Sequence, residues 1–123
     1  MTEMPKIIIV EDDQAIREMY QLKLEAEGFS VYLAKNGKEG LIAAETYKPD
    51  IILLDLMMPE MTGGEMLAKL RASEWGKKIK VIILTNVSRD EAMDAVKALK
   101  IEGLIVKADT TPSEVVEAIK KLL

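Results

Sequence analysis

Four apolar runs in this chain end in side chains that can do chemistry. Val10 is followed by Glu11, Asp12 and Asp13, Leu54 by Asp55, Leu84 by Thr85, and Val106 by Lys107. In an open parallel sheet, functional groups collect beyond the carboxyl ends of the strands, near the switch in strand order. Three or four carboxylates, one hydroxyl and one ammonium are thus delivered to one edge. Clustered carboxylates repel, which favours a divalent ion among them. With no His and no Cys in the chain, the ligands are all oxygen, the pattern of Mg²⁺ or Mn²⁺ rather than zinc. A lysine and a hydroxyl beside such an ion suit a phosphoryl group, whose oxygens they would share with it. Taken singly, each group has a plainer use. Asp12 or Asp13 would cap a following helix, Thr85 is an ordinary strand-end residue, and a lone lysine is usually solvated. Asp55 fits no such use, because its carboxylate starts where four apolar residues stop, and an acid there is costly unless a cation or donor answers it.

Composition narrows the chemistry further. The absence of His and Cys excludes Ser-His and Cys-His pairs, thiolate nucleophiles, disulfides and phosphohistidine. Lack of cysteine also fits a reducing compartment. The 17 basic and 21 acidic residues give a net charge of −4, and the basic ones are scattered apart from Lys77, Lys78 and Lys80. Direct nucleic-acid binding is not expected from such a surface. No apolar run reaches the roughly 18 residues of a membrane span, and the start MTEMPK lacks the apolar stretch of a signal peptide. The expectation is a cytoplasmic protein. At 123 residues the chain is expected to form one domain, 1–123, without a separate output domain.

The elements that must hold these groups are five short β-branched runs, Lys6–Val10, Ser30–Leu33, Ile51–Leu54, Val81–Leu84 and Leu104–Val106. The near-continuous ones read as parallel strands buried on both faces. Segments of helical period alternate with them. Ile16, Met19, Tyr20 and Leu24 form one apolar stripe, Gly63, Met66, Leu67 and Leu70 another, Ala92, Met93, Val96 and Leu99 a third, and Val115, Ala118, Ile119 and Leu122 a fourth. Met19, Met66 and Met93 are expected as core filler. Helix starts are marked by Asn36, Thr62, Ser88 and Thr111, each with a Glu three residues on. Pro112 stands at a first helical position, and Gly28 and Gly103 fit helix stops. In the Ser73–Lys78 loop the only tryptophan, Trp75, reads as a half-buried anchor. Strict alternation predicts an α/β fold, a doubly wound (βα)5 sheet.

The run Asp55-Leu56-Met57-Met58-Pro59-Glu60-Met61-Thr62-Gly63 resembles the D-x-x-M-P-x-M-x-G motif of two-component response-regulator receiver domains. Glu11-Asp12 upstream, and Thr85 and Lys107 downstream, stand at that family's spacing. The resemblance covers the chain from Lys6 to Leu123. It implies a flavodoxin-like five-stranded parallel sheet of order 2-1-3-4-5 with helices on both faces, which sets Glu11 and Asp12 beside Asp55. It further implies that Asp55 is the phosphoacceptor and that Asp12, Asp55 and the backbone carbonyl of Met57 ligate Mg²⁺, with Glu11 holding the ion through water. Lys107 would pair with the phosphoryl group and Thr85 would hydrogen-bond it after transfer. Asp13 falls outside the matched pair and is assigned to the helix cap. The implied partners are a sensor histidine kinase or histidine phosphotransfer protein, and a downstream protein reading the fourth helix, fifth strand and fifth helix. The chain would be no enzyme beyond catalysing its own phosphorylation and dephosphorylation.

Three departures stand out. Ala108 replaces the usual proline after the lysine, Leu104 occupies the position of a switch aromatic, and Asn86 follows Thr85 where a small residue is favoured. Two other functions compete. An aspartate-nucleophile phosphatase of the haloacid dehalogenase type needs a second Asp two residues after the nucleophile, where Met57 stands. A phosphorylation-independent adaptor would not need the intact Asp12, Asp55, Thr85 and Lys107 set. Met57 and Val87 lie two residues beyond Asp55 and Thr85, positions that flank the water's approach in the resembled family. Neither can orient a water, so a long-lived phosphoryl-aspartate is expected.

Overall fold

In a computed structural model, which describes residues 4–123, the strands are β1 Lys6–Val10, β2 Ser30–Ala34, β3 Ile51–Leu54, β4 Lys80–Thr85 and β5 Gly103–Val106. The first three residues of the MTEMPK start lie outside that range. Helices α1 Gln14–Ala26, α2 Gly37–Tyr47, α3 Gly63–Ala72, α4 Arg89–Ala95 and α5 Pro112–Lys121 follow the strands in turn, with a short 3₁₀ turn at Lys107–Asp109 before α5. All strand pairings are parallel, in the order β2-β1-β3-β4-β5. This is the (βα)5 sheet with the implied order.

Alternation along the strands divides the interior in two. Ile8, Val10, Ile52, Leu54, Val81 and Ile83 face the helices α2, α3 and α4, whereas Ile7, Ile9, Ile51, Leu53, Ile82 and Leu84 face α1 and α5. Every residue of β1 after Lys6 and all of β3 is buried. With both faces covered, neither strand has a solvent side to fill with polar residues, which is why the sequence runs apolar without a break.

Caps hold the helix starts where their spacing placed them. Asp13, Asn36, Thr62, Ser88 and Thr111 each accept a hydrogen bond from the backbone N–H three residues on. The reciprocal bond from Glu back to the cap N–H closes a full capping box at Thr62 and Thr111. At α2, Glu39 instead accepts from the N–H of Lys35. Gly28 follows the end of α1 at φ +93, the left-handed stop that glycine adopts freely. Trp75 is half-buried against the α2–α3–α4 side of the core.

Two sequence expectations need correction. Gly103 opens β5, paired with Ile82, and stops no helix, since α4 has already ended at Ala95. Met93 is 49% exposed and fills no core. Ala92, Val96 and Leu99 recur at intervals of four and three and keep the inward stripe. Met93, one residue on from Ala92, is turned about 100° round the helix and points out.

Candidate functional site

The strand order brings β1 and β3 side by side, so the residues that follow them meet. The N–H of Asp55 donates to Val10 O (3.0 Å) and that of Glu11 to Ala34 O (3.0 Å), continuing the ladder one residue past each strand. Glu11 and Asp55 are thus fixed by backbone bonds and buried, with 4% and 6% of their surface exposed, while Asp12 stands in solvent. Carboxylate oxygens of Glu11, Asp12 and Asp55 all lie within 4.8 Å of one another.

One cation answers this cluster. Lys107 Nζ donates to Glu11 Oε1 at 2.6 Å and stands 3.9 Å from Asp55 Oδ2. Glu11 also accepts the N–H of Asp13 at Oε2 (3.2 Å), and Asp55 Oδ1 accepts the N–H of Met57 (3.3 Å). Electrostatics follow from this unequal sharing. Burial pushes the Glu11 carboxyl up, but the hydrogen bonds from Lys107 and the Asp13 N–H, with the charge of Lys107, bring it below the usual carboxylate range. Burial, then the neighbouring Glu11 charge, pushes Asp55 up to about 7, with Lys107 and the Met57 N–H opposing. Asp12 is raised as well, by desolvation and by Glu11. When all three carboxylates are ionised, as a bound cation would favour, they leave two formal negative charges against the one ammonium of Lys107, and the three side chains offer only oxygen. That donor set fits a hard divalent cation.

Thr85 is fully buried at the end of β4, its Oγ1 accepting the N–H of Val87 (3.3 Å). Met57 projects outward, 62% exposed, and lines with Val87, Leu56 and Leu99 an apolar groove of about 460 Å³ between α3 and α4. Leu104 is buried in β5, and its carbonyl accepts from Arg89 Nη2 of α4 (3.2 Å). Lys107 and Ala108 open the 3₁₀ turn.

Two residues at the site were not singled out for their role there. Gly63 donates its N–H to Leu56 O (3.0 Å), and an added Cβ would run into the carbonyl oxygen of Asp55 and come within 2.8 Å of the Leu56 Cα. The first turn of α3 therefore rests on the backbone of Asp55. Gly63→Ala is expected to cost about 1–3 kcal/mol by overpacking and to shift the Asp55 and Leu56 amide resonances. A variant of parental stability and spectrum would show that the contact is relieved without moving Asp55. Arg17 is the second. Its Nη1 donates to Glu11 O (2.7 Å) and Asp12 O (3.2 Å). The signal was present in the sequence, because helical side chains tilt toward the N-terminus and position 17 lies just inside α1.

The family model of the response regulator receiver domain matches residues 7–120. The chain belongs to this family. Among curated relatives, the alkaline phosphatase synthesis transcriptional regulatory protein PhoP of Bacillus subtilis is 36% identical over 124 residues, covering 96% of this chain and 48% of that protein. The phosphate regulon transcriptional regulatory protein PhoB of Rhizobium meliloti is 34% identical, with 98% of this chain and 52% of the relative covered. This receiver domain thus spans about half the length of the curated relatives it matches. Among solved structures, the chemotaxis protein CheY4 of Vibrio cholerae superposes with a TM-score of 0.90 at 30% identity, covering 98% of this chain and 100% of that one. The response regulator TrrA of Thermotoga maritima, solved in complex with Mg²⁺-BeF, gives a TM-score of 0.83 at 32% identity, with 98% and 100% covered. Receiver domains of two-component response regulators are accordingly what this chain resembles over its whole fold. Among the described residues, no helix is long and apolar enough to cross a membrane.

Proposed function

We propose that this receiver accepts a phosphoryl group on Asp55 from a phosphohistidine of a sensor histidine kinase or histidine phosphotransfer protein. The observation that carries the reading is the buried Asp55 carboxylate, within 4.8 Å of the oxygens of Glu11 and Asp12 and 3.9 Å from Lys107. An Asp55 oxygen attacks phosphorus in line, the P–N bond to the imidazole breaks, and the imidazole leaves with the bonding pair. Asp12, Asp55 and the Met57 carbonyl would hold Mg²⁺, with Glu11 acting through water, and the ion would neutralise charge on the phosphoryl oxygens; Mn²⁺ would suit the same donors. Lys107, already 3.9 Å from Asp55, needs only to leave Glu11 to meet a phosphoryl oxygen. Thr85 would exchange its bond to the Val87 N–H for one to the phosphoryl group, drawing the loop before α4 inward. A protein partner then reads the face formed by α4, β5 and α5. The domain catalyses only its own modification, and its lack of cysteine suits the cytoplasm.

Acetyl phosphate with Mg²⁺ is expected to add one phosphoryl group to the chain, read as one mass increment and mapped to Asp55. Asp12→Ala removes the exposed member of the acid cluster, and it should lose both the Mg²⁺ response of the site amides and the phosphorylation. Label on any residue other than Asp55, or an unchanged Mg²⁺ titration in Asp12→Ala, would refute the assignment.

A slow loss of the phosphoryl group follows from Met57 and Val87 sharing one apolar groove wall, since neither donates or accepts a hydrogen bond through its side chain. Met57→Asn combined with Val87→Glu would supply polar groups to orient the attacking water. The half-life of the phosphorylated double variant is expected to fall about tenfold, equivalent to about 1.4 kcal/mol in the barrier. An equal or longer half-life would remove the idea.

A further inference from the structure

We propose that Arg17 is a positioning residue for the metal-binding acids, an inference that rests on the function just proposed. The geometry is specific. From the second turn of α1 the side chain reaches back over the helix start, and Nη1 alone holds two successive carbonyls, Glu11 O at 2.7 Å and Asp12 O at 3.2 Å. Both of its hydrogen bonds among the described residues go to carbonyl oxygens, and none goes to a carboxylate, although three carboxylates cluster on that loop and its neighbour. The Arg17 N–H meanwhile donates to Asp13 O (3.0 Å). Arg17 therefore binds the acid loop at three consecutive residues without a hydrogen bond to any acidic oxygen.

Two carbonyl dipoles turned to the same side repel unless a donor stands between them. Neither carbonyl is an acceptor for the α1 ladder, whose first bonds go to Asp13. The guanidinium is what keeps both peptide planes turned. With those planes fixed, the Glu11 side chain leaves toward Lys107 and Asp55, and the exposed Asp12 side chain leaves toward the cluster. Without it Glu11 is still held by its N–H bond to Ala34 O and by Lys107, and Asp13 by its cap and its bond to Glu11, but the Glu11 and Asp12 carbonyls lose the donor they share. Partners that orient metal ligands from behind have large effects when removed, about 10-fold to 100-fold in metal affinity.

The sign of the effect separates positioning from simple electrostatics. Deleting a positive charge beside a cation site strengthens cation binding by Coulomb's law, whereas deleting a clamp weakens it. Arg17→Met keeps an unbranched stem and a similar helix propensity and removes the guanidinium that donates to both carbonyls. Arg17→Lys keeps the charge and a donor that reaches one carbonyl.

The test is a titration of the metal-free chain with Mg²⁺ alone, followed through the amide resonances of Glu11 to Asp13 and Asp55, in parent, Arg17→Met and Arg17→Lys. Arg17→Met is expected to bind Mg²⁺ about tenfold more weakly, with Arg17→Lys between it and the parent. Phosphorylation by acetyl phosphate should need correspondingly more Mg²⁺ yet reach the parental rate at saturation. Parental or tighter Mg²⁺ binding in Arg17→Met overturns the proposal. So does a rate that saturating Mg²⁺ fails to restore, or a metal-free amide spectrum altered throughout the sheet in both variants. A parent that binds Mg²⁺ but takes no label overturns the proposed phosphoacceptor role, and the Mg²⁺ titration still decides the part played by Arg17.

Discussion

Asp55→Asn is expected to abolish phosphoryl uptake and, in the absence of metal, to make the protein more stable at pH 8 by about 2–4 kcal/mol. The direction follows from linkage. The Asp55 carboxyl is pushed up to about 7 in the folded protein from 3.8, by burial first and by the Glu11 charge next. Between those values the native state binds more protons at this site than the unfolded chain, so stability falls as pH rises through the window from about 4 to about 7. Below it the acid is neutral in both states and costs nothing extra. Asn cannot ionise, so the advantage of the variant should be full at pH 8 and should vanish toward pH 4. Urea unfolding of both proteins in chelator at pH 4, 6 and 8 measures this, and the difference between the two proteins cancels the titration of groups remote from Asp55, leaving that of Asp55 with its neighbour Glu11. A variant no more stable than the parent at pH 8 would mean that the folded site already accommodates the Asp55 charge. Added Mg²⁺ should narrow the gap, because it stabilises the folded parent by mass action and loses a ligand in the variant.

The second large effect lies at the opposite end of the sheet. Arg71 ends α3 with a guanidinium that donates to Gly76 O, Lys77 O and Ile79 O through Nη1 and to Lys100 O through Nε, while Nη2 stands 3.5 Å from Glu102 Oε1. The same Glu102 oxygen accepts the Val81 N–H at 2.7 Å, where β4 begins. Only 10% of the Arg71 side chain and 14% of that of Glu102 are exposed. Burial draws the Arg71 pKa down and the Glu102 charge opposes it. Arg71→Ala strands several carbonyls and a shielded carboxylate together, and breaking a buried pair from one side costs about 3–5 kcal/mol. Chemical denaturation gives the number. Adding Glu102→Gln to Arg71→Ala should recover part of the loss, since it removes a shielded charge that the largely exposed Lys100, 3.8 Å from Glu102 Oε2, would otherwise have to answer without Arg71. A cost for Arg71→Ala below about 1 kcal/mol, the level of an exposed pair, would show that water replaces the guanidinium without penalty.

What the residues disclosed in advance divides along physical lines. Ile7–Val10 and Ile51–Leu54 were legible as strands because burial on both faces leaves no polar position, and Thr62-Glu65 and Thr111-Glu114 were legible because a capping box is a local device. Glu11, Asp12, Asp55, Thr85 and Lys107 could be gathered to one edge because each directly follows or ends an apolar run. The adjacency of β1 and β3 is not written in any periodicity and came through the family motif. Arg17 carried a signal only in its place near the start of α1, which marks a reach toward the helix start but not the carbonyls it meets, and Arg71 escaped notice because most of its partners are backbone carbonyls, which every residue carries and no pattern marks. Met93 was misplaced because a stripe at spacings of three and four admits a neighbour on its edge, and only packing decides which side that neighbour takes.

The ion pair between Lys107 and Glu11 joins positions 96 residues apart. During synthesis the acids that follow β1 and β3 emerge long before Lys107, the ammonium that stands beside them among the described residues. Until β5 closes on β4, the three carboxylates have no Lys107 beside them and the receiving pocket is incomplete. On the function proposed above, a chain in which β5 has not closed on β4 would lack the ammonium that the phosphoryl group is to meet. The site is thereby tied to the closure of the whole sheet, because its acids and its ammonium come from opposite ends of the chain.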